Sequence, residues 1–452
     1  MNTTTIVDVD HLLDTIQNGL DGADLAAVAD AITPASTDVV TTLFERLPIK
    51  QRAIVYRLLP KVRAIEVFER LSPVLQRDLI LGLRDSEVAS IFADLDPDDR
   101  VWLLDELPAA IAPKLLHGLS ERERQFTADV LGYPKNSVGR RMTPEYVSVR
   151  AESTVTEALR RVHLRLDEAE TVYTLPVLDG SRHVVGVVSL RELLRAAGGT
   201  TVGDIMQPAQ VVTAYKDAEA AARVCTSMRL LAVPVVDKEA RLVGMLTIDD
   251  AVKILELEET EDAARQGGVE PLRRPYFATP IHSLVTSRIV WLLVLAVGAT
   301  LTVQVLSVFE ATLEQVTVLA LFVPLLIGTG GNTGNQAATT VTRGLALGDV
   351  KPRDLGRVLA RELGVGFALG SLLGLLGGAL TAFVYDPGIG IVIGLTLLAV
   401  CSMAATIGGI MPMIARALRV DPAVFSNPFI TTFVDATGLV IYFLIAKTIL
   451  QI

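Results

Sequence analysis

Cysteine is nearly absent from this chain: Cys225 and Cys401 are the only two in 452 residues, too few for a disulfide framework. Histidine is also scarce. His11, His117, His163, His183 and His282 never fall at zinc-ligand spacing with the cysteines, which excludes a zinc site of the usual kind. The Thr- and Asp-rich N-terminus lacks an apolar core, so no signal peptide is expected, and the first 275 residues are expected to stay in a reducing cytoplasm. Charge is missing from the C-terminal part, where residues 276–452 hold 8 of the 51 acids and 9 of the 41 bases. The rest is acidic and brings the formal charge to −10. An acidic half joined to an almost uncharged one argues against nucleic acid as a partner and against a wholly secreted protein.

Apolar residues are abundant. They make up 50% of the chain, and mean hydropathy is +0.45, so part of it belongs in lipid. Five charge-poor runs reach the roughly 20 residues a helix needs to cross the hydrocarbon core: Ile289–Phe309, Val316–Val341, Leu363–Tyr385, Pro387–Ala415 and Pro422–Ala446. Arginine and lysine collect before the first run, between the second and third, and between the fourth and fifth. The other two connections contain neither. The positive-inside rule then predicts a cytoplasmic N-terminus, five crossings and an external C-terminus.

Three features mark the membrane half. Gly366, Gly370, Gly374 and Gly378 repeat every fourth residue in the third run, a packing row for a close helix neighbour. The second run reads PLLIGTGGNTGNQ from Pro324. Glycine and carboxamide at this density predict a broken helix around a cavity, with a glycine packing seam as the alternative. The fifth carries Asp435, with Asn427 and Thr431 on the same helical face. An intramembrane carboxylate is costly and is expected to face water or a cation. Amide, hydroxyl and carboxylate are hard oxygen donors, and no Cys, Met or His shares the face to favour a soft metal.

In the acidic half, leucine recurs every twelve residues at 47, 59, 71, 83, 95, 107, 119 and 131, often followed by a proline signal. One short helix and a turn per unit predicts an α-helical solenoid over about residues 10–131, within a domain of residues 1–135. Such a repeat suits a regulatory arm. Residues 136–255 then hold a doubled pattern, Met142-Thr-Pro and Met206-Gln-Pro, each followed by strand, helix, strand, strand and helix. This resembles a tandem pair of cystathionine-β-synthase (CBS) domains. Such pairs often bind adenosine nucleotides through G-x-x-[TS]-x-x-D, which here corresponds to Gly244, Thr247 and Asp250 in the second copy and Gly186, Ser189 and Glu192 in the first. The resemblance therefore implies ATP as a candidate ligand of Ser189, Arg191, Glu192, Thr247 and Asp250; a pair that only dimerises and transmits is the other reading. Residues 248–275 form an acidic connecting helix and linker, and a further acidic run holds Asp94, Asp96, Asp98 and Asp99. Both runs read either as solvated faces or as cation sites.

In this order, solenoid, CBS pair, acidic helix and five spans over residues 276–452 with GGNTGNQ and DPAVFSNPFITTFVDATGLVIY, the chain resembles the MgtE family of bacterial magnesium channels. The resemblance implies a transporter rather than an enzyme: a homodimer in the cell membrane, with the pore between subunits. It implies hydrated Mg²⁺ at Asp435, helped by Asn427 and Thr431. It further implies regulatory Mg²⁺ among Asp94, Asp98, Glu219, Asp250, Glu258, Glu261, Asp262 and Asp421, closing the pore. This chain has Lys253 and Arg229 where the family often has an acid. A coupled cation carrier of the same fold and a non-conducting membrane sensor are the alternative functions.

Overall fold

The computed structural model describes residues 9–108, 110–272, 274–418 and 427–452. It divides into two compact units, one running up to Glu259 with the short stretch ending at Thr279, the other formed by Thr260–Leu272 and Pro280–Ile452.

The first unit opens with α1 (Val9–Asp21) and α2 (Leu25–Ile32). The twelve-residue rhythm follows in α3 (Thr37–Arg46), α4 (Ile49–Leu58), α5 (Lys61–Arg70), α6 (Pro73–Gly82), α7 (Asp85–Asp94) and α8 (Pro97–Glu106), then α9 (Ala112–Gly118) and α10 (Glu121–Leu131). Each periodic leucine from Leu47 to Leu119 ends a helix in extended backbone, and Leu47, Leu59, Leu71, Leu95, Leu107 and Leu119 are buried. A second period underlies the first. Arg52, Gln76, Arg100 and Arg124 stand 24 residues apart, and each donates a side-chain hydrogen bond to the carbonyl eight residues earlier, at 2.7, 2.8, 2.9 and 3.1 Å. Those carbonyls lie in the last turns of their helices, where the regular backbone pattern runs out; Phe68 O and Leu116 O also accept the N–H of the C-cap leucine. The structural repeat is therefore a helix pair, with the long polar side chain of one helix closing the end of the preceding one.

Each half of the CBS region folds the same way. The first has β1 (Val149–Arg150), α11 (Val155–Leu164), β2 (Thr174–Leu178), β3 (Val184–Ser189) and α12 (Leu190–Arg195). After α13 (Val202–Ile205), the second has β4 (Val212–Thr213), α14 (Ala218–Ser227), β5 (Ala232–Val236), β6 (Leu242–Thr247) and α15 (Ile248–Gln266). Both sheets place the middle strand parallel to the first and antiparallel to the third. The two Met-x-Pro segments explain the shared glycines: a Cβ on Gly186 would lie 2.8 Å from Met206 Sδ, and one on Gly244 2.6 Å from Met142 Sδ. Each methionine lies against the strand of the other copy. The stretch leading toward the membrane is also held, because Arg274 pairs with buried Asp78 at 2.9 Å.

The second unit contains α16 (Ile281–Val308), α17 (Glu310–Gln315), α18 (Val323–Leu347), α19 (Leu355–Val384), α20 (Pro387–Ala417) and α21 (Asn427–Leu450). Among the described residues, five helices are long and apolar enough to cross a membrane, matching the five predicted runs. The glycine row of α19 lies along the α20 backbone: added Cβ atoms would lie 2.6 Å from Cys401 O at Gly366 and 2.5 Å from Gly394 O at Gly374. One expectation fails. The second spanning helix is unbroken from Val323 to Leu347, and its irregular backbone is a 3₁₀ turn at Thr317–Phe322, ahead of Pro324. Gly330 and Gly334 instead give room to Val400, Val434 and Ile430. Close packing outweighs their weak helix preference. Tyr442 of α21 satisfies the 3₁₀ turn by donating to Leu319 O at 2.9 Å.

Candidate functional site

In the membrane unit, Thr431 and Asp435 lie one turn apart on α21 and face Gly331 of α18. A Cβ at Gly331 would sit 3.1 Å from Thr431 Cγ2 and 3.6 Å from Asp435 Oδ1, so the glycine lets α18 approach Thr431 closely and leaves no side chain beside the carboxylate. Asp435 Oδ1 and, one turn beyond Gly331, Asn335 Oδ1 are both buried with no hydrogen-bond partner among the described residues. Buried oxygens of this kind are rare and call for a cation, a water or a partner. Thr431 donates its hydroxyl to Pro428 O at 2.9 Å. The Asn427 side chain and all of Asp421 lie outside the described residues.

The first unit holds two acidic clusters. Asp98 of α8, Glu170 of the loop before β2 and Asp250 of α15 bring carboxylate oxygens within 4.8 Å of one another. Asp98 Oδ1 and Glu170 Oε2 have no hydrogen-bond partner among the described residues. Burial pushes the Glu170 carboxyl up to about 8, with Asp250 adding to it. Burial likewise lifts Asp250 to about 6 against the pull of Lys253, and holds Asp98 well above the usual carboxylate range. The second cluster is Glu69, Asp96 and Asp99, also within 4.8 Å; burial raises Glu69 to about 7, helped by Asp99 and Asp96. Lys253 Nζ lies beside both, 3.0 Å from Asp99 Oδ1. Burial would lower this ammonium, but Asp99 and Asp250 outweigh it and raise it. Trp102 carries Lys253 5.0 Å and Arg141 3.3 Å from its ring centroid, a cation–π arrangement flanking the acids.

The sequence-predicted residues divide accordingly. Asp98 and Asp250 meet. Asp94 does not join them, being paired with Lys61 at 2.7 Å; Glu219 pairs with Arg223 at 2.6 Å and Glu261 with Arg265. Glu258, Glu261 and Asp262 share α15. Glu170 and Glu69 escaped the sequence reading: Glu69 stands outside any acidic run, and the short run Asp167-Glu168-Ala169-Glu170 lies apart from the two acidic stretches singled out there.

The two nucleotide-type segments are spent locally. Ser189 Oγ donates to Glu192 Oε2 at 2.9 Å and accepts from the Glu192 N–H at 3.2 Å, a capping box on α12. Thr247 Oγ1 donates to Asp250 Oδ2 at 2.8 Å. Arg191 is exposed beside the first segment.

The MgtE divalent cation transporter domain matches residues 323–445, the MgtE intracellular N domain residues 36–136, and the CBS domain residues 137–199 and 202–257. The chain is 37% identical over 446 residues to the magnesium transporter MgtE of Thermus thermophilus, covering 96% of this chain and 98% of that one. It is 32% identical over 326 residues to that of Enterococcus faecalis, covering 72% and 71%. The crystal structure of the cytosolic domain of the Mg²⁺ channel MgtE in complex with ATP matches with TM-score 0.50 and 33% identity, over 54% of this chain and all of that one. The chain belongs to the MgtE family of divalent-cation transporters.

Proposed function

We propose that this protein is a Mg²⁺ channel that admits the ion to the cytoplasm and is closed by cytoplasmic Mg²⁺. The observation that carries the reading is the pair of unpartnered oxygens, Asp435 Oδ1 and Asn335 Oδ1, beside the space kept open by Gly331. Mg²⁺ gives up water reluctantly and is bound through one or two carboxylates with several waters retained. One Asp435 per chain, with Thr431 and Asn427 on its face, offers such weak ligation, and conduction requires binding weak enough to release. Asn332 and Gln336 are exposed on the isolated α18. Carboxamides facing lipid would be costly, which favours a homodimer with α18 and α21 lining a pore between subunits. The loop charges orient the N-terminus inside and the C-terminus outside.

Closure would use the acidic clusters. Asp98, Glu170 and Asp250 join solenoid to CBS pair, and ionised they repel; a divalent cation between them favours the docked arrangement, as ligand-driven closure requires. Glu258, Glu261, Asp262, Glu219, Asp94 and Asp421 remain further candidate ligands. Movement of α15 would reach the pore helix through the turn that follows it, where Gly268, at φ +66°, packs against Pro428 of α21. ATP is assigned to the first CBS copy, at Ser189, Arg191 and Glu192, because the second copy's Asp250 sits among carboxylates that would repel phosphate.

The test is ion flux into vesicles reconstituted with the purified protein, using Mg²⁺, Mn²⁺ and Co²⁺. Wild type should conduct Mg²⁺, and Asp435→Ala should insert normally yet conduct none. Wild-type flux in that variant would remove the pore assignment. Single-channel currents separate a channel from a carrier, and reporters at Met1 and Ile452 accessible from opposite sides test the topology.

A further inference from the structure

A cavity of about 360 Å³ opens between α10 of the solenoid and the first CBS copy, away from both nucleotide-type segments and next to Glu170 of the first acidic cluster, whose chain neighbours Glu168 and Ala169 line it. Five arginines line it, Arg122 from α10 and Arg150, Arg161, Arg165 and Arg182 from the CBS copy. Three acids share the lining, but two are already engaged. Asp179 accepts the backbone N–H of Ser181 and of His183, both at 2.8 Å, and meets His183 Nδ1 at 3.0 Å. Glu168 is held by Arg122 at 3.0 Å and Arg165 at 3.2 Å. Arg150 and Arg161 make no hydrogen bond or ion pair with any described residue, although both face the same cavity.

The backbone fixes these two guanidinium groups. Arg150 is the last residue of β1 and pairs in parallel register with Leu178, the last of β2, so the cavity lies outside the carboxyl ends of two parallel strands, where open α/β sheets bind ligands. Arg161 is in the last turn of α11, the helix connecting those strands. Arg182 is fixed at φ +70° and donates to Leu242 O at 3.1 Å, so the second copy holds it in place. Like charges gathered around a concavity repel unless an anion joins them. Arginine's planar fork matches phosphate oxygens in pairs, and the volume is that of a small-molecule site.

We propose that this cavity is a binding site for a phosphate-bearing anion, held by Arg150 and Arg161 with help from Arg122 and Arg182. Because Arg122 comes from the solenoid and the others from the CBS copy, an occupant ties the two together with ligands that the acidic clusters do not supply. The assignment does not rest on channel activity.

The experiment uses the full chain in detergent with free Mg²⁺ held constant. Inorganic phosphate and AMP are titrated by calorimetry, and arginine modification by phenylglyoxal is mapped by mass spectrometry. Phosphate or AMP should protect Arg150 and Arg161 from modification. The double variant Arg150→Gln, Arg161→Gln should lose roughly a hundredfold in affinity, about tenfold for each charged hydrogen-bond partner removed, while Arg160→Gln, next in the chain but outside the cavity lining, binds as wild type. Arginine-dependent binding of phosphate itself identifies a free anion, and of AMP alone a nucleotide; either supports the site. Unchanged modification of Arg150 and Arg161 in the wild type, or equal binding by the double variant, overturns it. So does AMP binding that is lost in Ser189→Ala, Glu192→Ala but kept in the arginine variant, because the nucleotide then sits elsewhere.

Discussion

Replacing Glu170 by glutamine should make solenoid–CBS docking far less dependent on Mg²⁺. The three carboxylates of Asp98, Glu170 and Asp250 lie within 4.8 Å of one another. At an effective dielectric near 20, each fully ionised pair at that separation repels by about 3.5 kcal/mol, and Glu170→Gln removes two of the three pairs. Proton uptake by Glu170 already relieves part of this near neutrality, since its carboxyl is lifted to about 8. The net gain in metal-free docking should therefore be about 3 kcal/mol, roughly a hundredfold in the docked-to-open ratio. The assay is energy transfer between dyes on Asp30→Cys in the solenoid and Arg195→Cys in the first CBS copy, because the native Cys225 and Cys401 are both buried. In chelator, wild type should show low transfer that rises with Mg²⁺. Glu170→Gln should start high and change little, and its bound Mg²⁺ should dissociate more readily because one oxygen ligand is gone. If chelated Glu170→Gln shows wild-type transfer and an unchanged Mg²⁺ midpoint, the cluster does not control docking and the gating proposal loses its basis.

Lys253→Met should act in the opposite direction: it removes the ammonium 3.0 Å from Asp99, so transfer in chelator should fall and more Mg²⁺ should be needed to restore it. The pH dependence follows from the raised carboxyls of Glu170, near 8, and Asp250, near 6. Metal-free docking is fully present below the ordinary carboxylate range and lost as pH rises through about 6 to 8, whereas Mg²⁺ needs the ionised forms. The transfer gained on adding Mg²⁺ should therefore be small at pH 6 and large at pH 8. Gly374→Leu should lower the melting temperature of the detergent-solubilised protein by several degrees, since a Cβ alone would lie 2.5 Å from Gly394 O and overpacking costs about 1–3 kcal/mol. Gly268→Val should leave flux at low Mg²⁺ intact but weaken closure, because φ of +66° and Pro428 exclude a branched side chain there; closure at wild-type Mg²⁺ would remove the α15–α21 contact from the mechanism.

The architecture was legible wherever a period or a run was long enough to average over local accidents. The twelve-residue leucines placed α3 to α8, and apolar length found five spanning helices. The doubled Met-x-Pro pattern gave two sheets of one topology. What escaped depended on contacts between distant residues. The 24-residue series of Arg52, Gln76, Arg100 and Arg124 was present in the chain, yet its meaning lies in carbonyls eight residues back, visible only once the helices pair. Glu170 ends the short acidic run Asp167-Glu168-Ala169-Glu170, and only the fold, by bringing Glu170 and not its neighbours to Asp98 and Asp250, makes it a site residue. The GGNTGNQ segment misled for the same reason: glycine propensity is local, and the neighbours that hold α18 straight, Val400, Ile430 and Val434, come from other helices.

On the proposed function, the two oxygen sites would differ in the way a self-limiting importer requires. In the membrane unit, one carboxylate per chain shares its face with a hydroxyl and sits across from an amide, and the surrounding residues are small. Such a site attracts a hydrated divalent cation without stripping its water, so the ion is not trapped. In the cytoplasmic unit, three carboxylates from three separate segments lie within 4.8 Å, and two of their oxygens are buried without a hydrogen-bond partner among the described residues. The first arrangement gains little from occupancy and passes ions onward. The second gains much, because occupancy also cancels the repulsion between segments, and a ligand shifts an equilibrium only by its preference for one state. On that proposal Lys253 would set the balance, because its one positive charge beside Asp99 would keep the metal-free state close enough to docking for a divalent cation to complete it. A chain with more acids at this interface would need more cation to close, and a chain with more lysines would close without sensing the ion.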